Sequence, residues 1–255
     1  MADQSAAHGA EQSRVALVAD AGFYAGPWLA RLLAERGNNL VLGDPGEGLV
    51  DELEGLGAAV EVVTGVRNLA RPEAAGELVA AALQRFGRLD AAVAFSGQIV
   101  TGRFVNTTLD DLRTVLAGCL EAPYHFLKAV VDPMIARGDG QILVITSASA
   151  ARPTPGAPLY SAARAGATML TRNVADEVAR DGIQVNAVGT NFMDFPQFLQ
   201  ATGATDPEIR KKIEAQVPLG RLGTMEEFAA FCMPFIDGTS RFTTGQFVAY
   251  AGGWA

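Results

Sequence analysis

The sequence predicts a doubly wound α/β fold: a single parallel sheet of about seven strands, flanked by helices. Three observations predict it. Short apolar runs of strand length alternate with stretches of helical spacing along the chain. Those runs are short and predominantly apolar, the pattern of strands covered on both faces. The length, 255 residues with 49% hydrophobic and 19% charged, suits one α/β domain with a large core.

The elements follow in order. Val15 to Ala19 is a short apolar strand, and Ala25 to Arg36 a helix that Gly37 ends. Leu40 to Gly43 and Val60 to Val63 are the second and third strands. Pro72 to Phe86 has helical spacing and stops at Gly87; Asp90 to Phe95 is the fourth strand. Leu109 to Arg137 is a long helical stretch with irregularities expected at Pro123 and Pro133. Gln141 to Ser147 is the fifth strand, Leu159 to Arg180 a helix, Ile183 to Val188 the sixth strand, Glu226 to Ile236 a helix, and Gln246 to Tyr250 the last strand. Right-handed crossovers between parallel strands place helices on both faces. Residues 14–255 form this one domain, and the polar, small-residue stretch 1–13 is expected to be a disordered arm. The most irregular stretch, 190–217, is expected to cover a substrate.

Composition excludes several classes. The formal net charge is −8, with no cluster of Lys or Arg, so nucleic acid is not expected as a partner. No apolar run reaches the ~18 residues of a spanning helix, so no membrane partner is expected. The first residues lack the charged and apolar regions of a signal peptide. The two cysteines, Cys119 and Cys232, have no paired spacing and read as buried free thiols, which points to the cytoplasm. His8 and His125 make no ligand pattern with cysteines or carboxylates, so no metal is expected.

In a sheet of this kind ligands bind beyond the carboxyl ends of the strands, so the loops after strands one, four, five and six should surround one site. Ser147 ends a strand, Tyr160 follows thirteen residues later, and Arg164 comes four after that. With these stand Asp90-Ala91-Ala92-Val93 in the fourth strand, Val185-Asn186-Ala187-Val188 in the sixth, and Thr244-Gly245-Gln246 followed by Gly252-Gly253 near the end. Together, in this order, they resemble the short-chain dehydrogenase/reductase family over nearly the whole chain from Ser13. The resemblance implies a Rossmann-like sheet with Ser147 and Tyr160 as catalytic residues.

The sequence departs from that family where the family holds its nicotinamide. The family's phosphate loop reads Thr-Gly-x-x-x-Gly-x-Gly; the matching positions here are Ala19, Asp20, Tyr24 and Gly26. The glycines let backbone approach a pyrophosphate at the helix N-terminus, and a phenol ring at Tyr24 would fill that space. The family's Asn-Asn-Ala-Gly is Ala94-Phe95-Ser96-Gly97, its Pro-Gly after the sixth strand is Thr190-Asn191, its helix asparagine is Cys119, and its active-site lysine is Arg164. A serine, tyrosine and arginine, with an aromatic residue two before a glycine as in Tyr24-Ala25-Gly26, resemble the halohydrin dehalogenases, relatives of that family. This resemblance implies a carbon–halide lyase with no cofactor, closing vicinal halohydrins to epoxides with release of halide and opening epoxides with azide, cyanide or nitrite. It also implies a homotetramer through the Leu109 and Leu159 helices.

On this expectation Tyr160 takes the proton and Ser147 hydrogen-bonds the substrate oxygen. A tyrosine is a poor base at its free pKa of ~10, and Arg164, one helical turn away and always charged, favours the phenolate. Backbone N–H groups of the turn formed by Thr190, Asn191, Phe192 and Met193 would form an anion nest for the halide, walled by Phe192 and Tyr24. Blander roles stand beside these. Arg164 could be a solvated helix charge, Tyr24 could pack under the first helix, and Asn191 could be a turn residue. Asp44 lies eighteen residues past Gly26, where a nicotinamide enzyme keeps its ribose-binding acid, or it could begin the Pro45-Gly46 turn. Trp254 could be a loose end or reach a neighbouring subunit. Two other functions remain open: a nicotinamide-dependent short-chain reductase with a degenerate cofactor loop, and a Rossmann-like binding protein without catalysis.

Overall fold

The structure, a computed structural model, describes residues 13–255. The arm expected over 1–13 lies, apart from Ser13, outside the described residues, as does His8.

Seven strands form one parallel sheet: β1 (Val15–Val18), β2 (Asn39–Gly43), β3 (Val60–Val63), β4 (Ala91–Phe95), β5 (Gly140–Ser147), β6 (Ile183–Thr190) and β9 (Phe247–Tyr250). Their spatial order is β3-β2-β1-β4-β5-β6-β9. The chain winds outward from β1 to β3, then returns to lay β4 on the other side of β1. The order therefore reverses between β1 and β4, and a crevice opens there at the strands' carboxyl ends.

Successive residues of β1 face opposite sides, and both sides are apolar. Ala16 and Val18 join a core with Leu29 and Leu33 of α1 (Gly26–Glu35), Leu53 of α2 (Leu49–Gly55) and Phe228 of α9 (Met225–Cys232). Val15 and Leu17 join a second core with Leu78 of α3 (Pro72–Phe86), Phe126 of α5 (Ala122–Arg137) and Ala175 of α6 (Pro158–Val178).

The start of β4 is tied down electrostatically. The Asp90 carboxylate is fully buried and accepts the Val15 N–H at 2.8 Å, Arg88 at 2.7 and 2.8 Å, and pairs with Arg137 at 2.9 Å. Burial pushes its carboxyl up, but the Arg88 hydrogen bonds, the Val15 N–H and Arg137 outweigh it and hold it below the usual carboxylate range.

Three expectations need correction. Helix α2 was not anticipated: it is seven residues long and buries only Leu49 and Leu53, too short a period to stand out. The long helix is interrupted before Pro123: α4 (Leu109–Leu116) runs into a π-helical segment, Ala117–Glu121, and then α5, while Pro133 is carried inside α5. The stretch 190–217 is not irregular. It holds β7 (Met193–Asp194), paired with β8 (Gly223–Thr224), then α7 (Pro196–Thr202) and α8 (Pro207–Glu214). Arg210 of α8 fastens it, bonded to Asp194 at 2.6 Å and Glu214 at 2.8 Å. Among the described residues no helix is long and apolar enough to cross a membrane.

Candidate active site

All eight residues singled out from the sequence, Ser147, Tyr160, Arg164, Tyr24, Thr190, Asn191, Phe192 and Met193, line one cavity of about 500 Å³ at the carboxyl ends of the strands. Four phenylalanines, Phe23, Phe95, Phe195 and Phe198, supply aromatic walls to the same cavity. Residues of α7 line one side, so the 190–217 stretch does border the cavity.

Ser147 and Thr190 are register partners at the ends of β5 and β6. The Ser147 hydroxyl donates to the Thr190 carbonyl at 3.3 Å and accepts from the Ser149 hydroxyl at 2.7 Å and the Ser149 N–H at 3.2 Å. Ser149 is thus a site residue that sequence reasoning missed. Its signal was the Ser-Ala-Ser ending of the strand, where a serine commonly bonds the N–H two residues on.

Tyr160 lies in the first turn of α6, with Arg164 one turn later. Arg164 is not a solvated helix charge: it is 1% exposed. Its guanidinium lies 5.0 Å from the centre of the Tyr160 ring and 5.9 Å from that of Phe95, and it donates to the Ser96 carbonyl. Its Nε and Nη1 have no hydrogen-bond partner among the described residues. Gly97 makes room for this group, because a Cβ there would come within 2.0 Å of Arg164 Nη2. Cys119 supports the same loop from the π segment: the Gln98 N–H donates to its sulfur at 3.4 Å, and its thiol donates to the Gln98 carbonyl at 3.3 Å.

Tyr24 crosses the turn between β1 and α1 in the left-handed region, φ 52°. A non-glycine residue there costs roughly 1–2 kcal/mol. Packing overrides that cost. The ring stacks on Phe95 with centroids 4.4 Å apart and meets Phe195 edge-on at 4.9 Å, and the phenol donates to Thr190 Oγ1 at 2.7 Å. Burial pushes the Tyr24 hydroxyl well above its usual range, so it stays protonated and can donate. Gly26 permits the helix start, since a Cβ there would meet the Asp20 carbonyl at 2.0 Å.

Asp44 is neither idle nor merely a turn initiator. Its carboxylate accepts the N–H groups of Gly65, Val66 and Arg67 at 2.7, 2.9 and 2.7 Å and so holds the loop after β3. Arg67 reaches back to Asp20 at 3.1 Å. Phe192 also takes a left-handed φ of 56°, and its ring meets Trp254 of the same chain at 5.6 Å. Arg152 fastens Trp254 through a 2.6 Å bond to its carbonyl.

A doubly wound sheet with a strand-end serine, and with a tyrosine and a basic residue one turn apart on the facing helix, defines a class. The chain belongs to the short-chain dehydrogenase/reductase family. The family model described as Enoyl-(Acyl carrier protein) reductase matches residues 26–255. The chain is 33% identical to cis-4-hydroxycyclohexanecarboxylate dehydrogenase of Sinomonas cyclohexanicum, covering 94% of this chain and 96% of the relative. It is 28% identical to 3-oxoacyl-[acyl-carrier-protein] reductase FabG of Thermotoga maritima, covering 95% and 98%. Among solved structures, YwfH, described as an NADPH dependent reductase, superposes with a TM-score of 0.86 at 21% identity, covering 95% of this chain and 98% of that one.

These relatives correct the functional expectation. They are reductases and dehydrogenases, and they overturn the assignment as a carbon–halide lyase working without a nicotinamide. The departures at Tyr24 and Arg164 sit on a chain whose relatives are oxidoreductases.

The family implies a nicotinamide dinucleotide, whose pyrophosphate would sit at the N-terminus of α1. Two features suit it: the buried Arg164 has two nitrogens in want of acceptors, and a hollow lined by Asp44, Gly46, Thr64 and Arg67 lies at the ends of β2 and β3. The turn between them does not. The Tyr24 ring fills the space before α1, and the Asp44 carboxylate is already spent on the 65–67 loop. The nicotinamide half does not fit with Tyr24 where it stands.

Proposed function

We propose that this chain is an oxidoreductase that interconverts an alcohol and the matching carbonyl on a small, largely apolar molecule. One observation carries this: Ser147 and Tyr160 open onto a single aromatic-walled cavity above the buried Arg164. The cavity's size and walls favour a small molecule held by apolar contact, with few polar groups to orient it. The names of the 3-oxoacyl reductase and the hydroxycyclohexanecarboxylate dehydrogenase speak for the same interconversion.

In this proposal the Ser147 hydroxyl turns from the Thr190 carbonyl to the substrate oxygen, while Ser149 continues to donate to it. The Tyr160 hydroxyl gives the proton to that oxygen in reduction and takes it back in oxidation. Arg164 places a fixed positive charge beneath the ring that handles the proton. The hydride partner of such a reaction in this family is a nicotinamide. Exposed apolar side chains on α4, α5 and α6, Leu109, Tyr124 and Met169 among them, favour a homotetramer assembled through those helices.

The test is turnover of a panel of cyclic and short-chain ketones and alcohols with NADH, NADPH and their oxidised forms, followed by nicotinamide absorbance. Tyr160→Phe serves as the control. Turnover that disappears in Tyr160→Phe supports the assignment. Absence of nicotinamide-dependent turnover across the panel, in protein shown to be folded, removes it.

A further inference from the structure

We propose that Tyr24 sets the affinity of this chain for nicotinamide: its ring, held by Phe95 and latched to Thr190, closes the path to Ser147 and Tyr160, and the dinucleotide binds only as the ring leaves. This rests on the oxidoreductase assignment.

The anchorage is specific. Tyr24 lies two residues before the first residue of α1, where the backbone of a dinucleotide-binding turn needs to meet a pyrophosphate. It occupies a left-handed position that favours glycine. It is kept there chiefly by contacts from other parts of the fold: Phe95 at the end of β4, Thr190 at the end of β6, Phe195 just before α7 and, at 6.0 Å between ring centres, Phe228 of α9. Its neighbour in the turn, Phe23, adds a looser ring contact at 6.4 Å. The ring itself lines the cavity that holds Ser147, Tyr160 and Arg164, whose Nε and Nη1 have no partner among the described residues. A dinucleotide whose pyrophosphate sits at the N-terminus of α1 would have to reach that cavity past Tyr24.

The experiment is a binding titration with NADH and with NADPH, without substrate, read by calorimetry or by nicotinamide fluorescence. It compares wild type, Tyr24→Gly and Thr190→Val. Tyr24→Gly removes the ring and gives the left-handed position its preferred residue. Thr190→Val leaves the ring and removes only its latch. The expected result is a Kd at least tenfold lower in Tyr24→Gly for one of the two dinucleotides, and a smaller decrease in Thr190→Val. Equal affinity in all three proteins overturns the role of Tyr24 and leaves the oxidoreductase assignment standing. No binding in any of the three overturns both. If Tyr24→Gly fails to fold, an unchanged Kd in folded Thr190→Val overturns the proposal, and a lowered one supports it.

Discussion

Replacing Gly97 with alanine tests whether the buried guanidinium is part of the catalytic arrangement. The added Cβ would lie 2.0 Å from Arg164 Nη2 and 3.0 Å from its Cζ. Non-bonded heavy atoms settle near 3.5 Å, so a gap of about 1.5 Å has to open. An exposed arginine would swing into solvent at little cost. Arg164 is 1% exposed, bonded to the Ser96 carbonyl and flanked by the Tyr160 and Phe95 rings, so it moves into the cavity or the loop after β4 moves away. Overpacking of this kind costs about 1–3 kcal/mol, which for a domain of this size lowers Tm by roughly 2–12 °C. A displacement of about 1 Å at a positioned group can also cost about a hundredfold in turnover. The assay pairs thermal unfolding followed by circular dichroism with kcat on the best substrate of the panel. Gly76→Ala is the control: the site is in α3, no atom lies within 4 Å of the added Cβ, and a gain of about 0.4–1 kcal/mol is expected. Wild-type Tm and wild-type kcat in Gly97→Ala would refute the reasoning.

Four further expectations follow from the structure. Asp90→Asn should cost about 3 kcal/mol in urea unfolding, because two arginines and the Val15 N–H lose a buried anion; a loss below about 1 kcal/mol would count against it. The folded Asp90 carboxyl is held below its unfolded value, so its contribution is complete above about pH 5 and fades as pH falls; Asp90→Asn should flatten the acid limb of the stability profile, and an unaltered limb would contradict this. Ser149→Ala removes one hydrogen bond to Ser147, worth about 1 kcal/mol, so kcat should fall about fivefold with KM little changed; an unchanged kcat would show that Ser147 needs no such support. Light scattering on a sizing column should report a tetramer, and a clean monomer would reassign Leu109, Tyr124 and Met169 to ordinary surface.

All seven strands were legible because strands covered on both faces are continuous apolar runs, and β1, β4 and β5 are almost uniformly buried. The site was legible because its residues stand at fixed offsets from strand and helix ends. What escaped notice depends on shorter signals or on contacts. Helices α7 and α8 each begin at a proline, and Asp206 caps α8 through Glu208 and Ile209, but neither buries enough side chain to show a period. The roles of Ser149, Gly97 and Asp44 are set by partners that only the fold brings near. The misjudged chemistry has a different cause. Tyr24 and Arg164 are single positions that shape the pocket and flank its tyrosine, and they do not by themselves fix a reaction, whereas the relatives along the whole chain are oxidoreductases.

The π segment between α4 and α5 acts as a phase shifter. An α-helix turns ~100° per residue, so one residue held out of the usual hydrogen-bond ladder rotates everything before it relative to everything after it. Here the offset lets Val115 face the small cluster with Leu159 and Ala163, while Phe126 and Val130 face the core they share with Val15 and Leu17. Gly118 sits within the segment, and a Cβ there would meet the Gln98 backbone at 2.8 Å, so the wide turn is pressed against the loop that carries Gly97. Deleting a single residue from 117–121 would straighten the helix and preserve nearly all of its composition. It would also turn Val115 out of its cluster and withdraw the support beneath the Arg164 loop, a failure that helix propensity alone would score as an improvement.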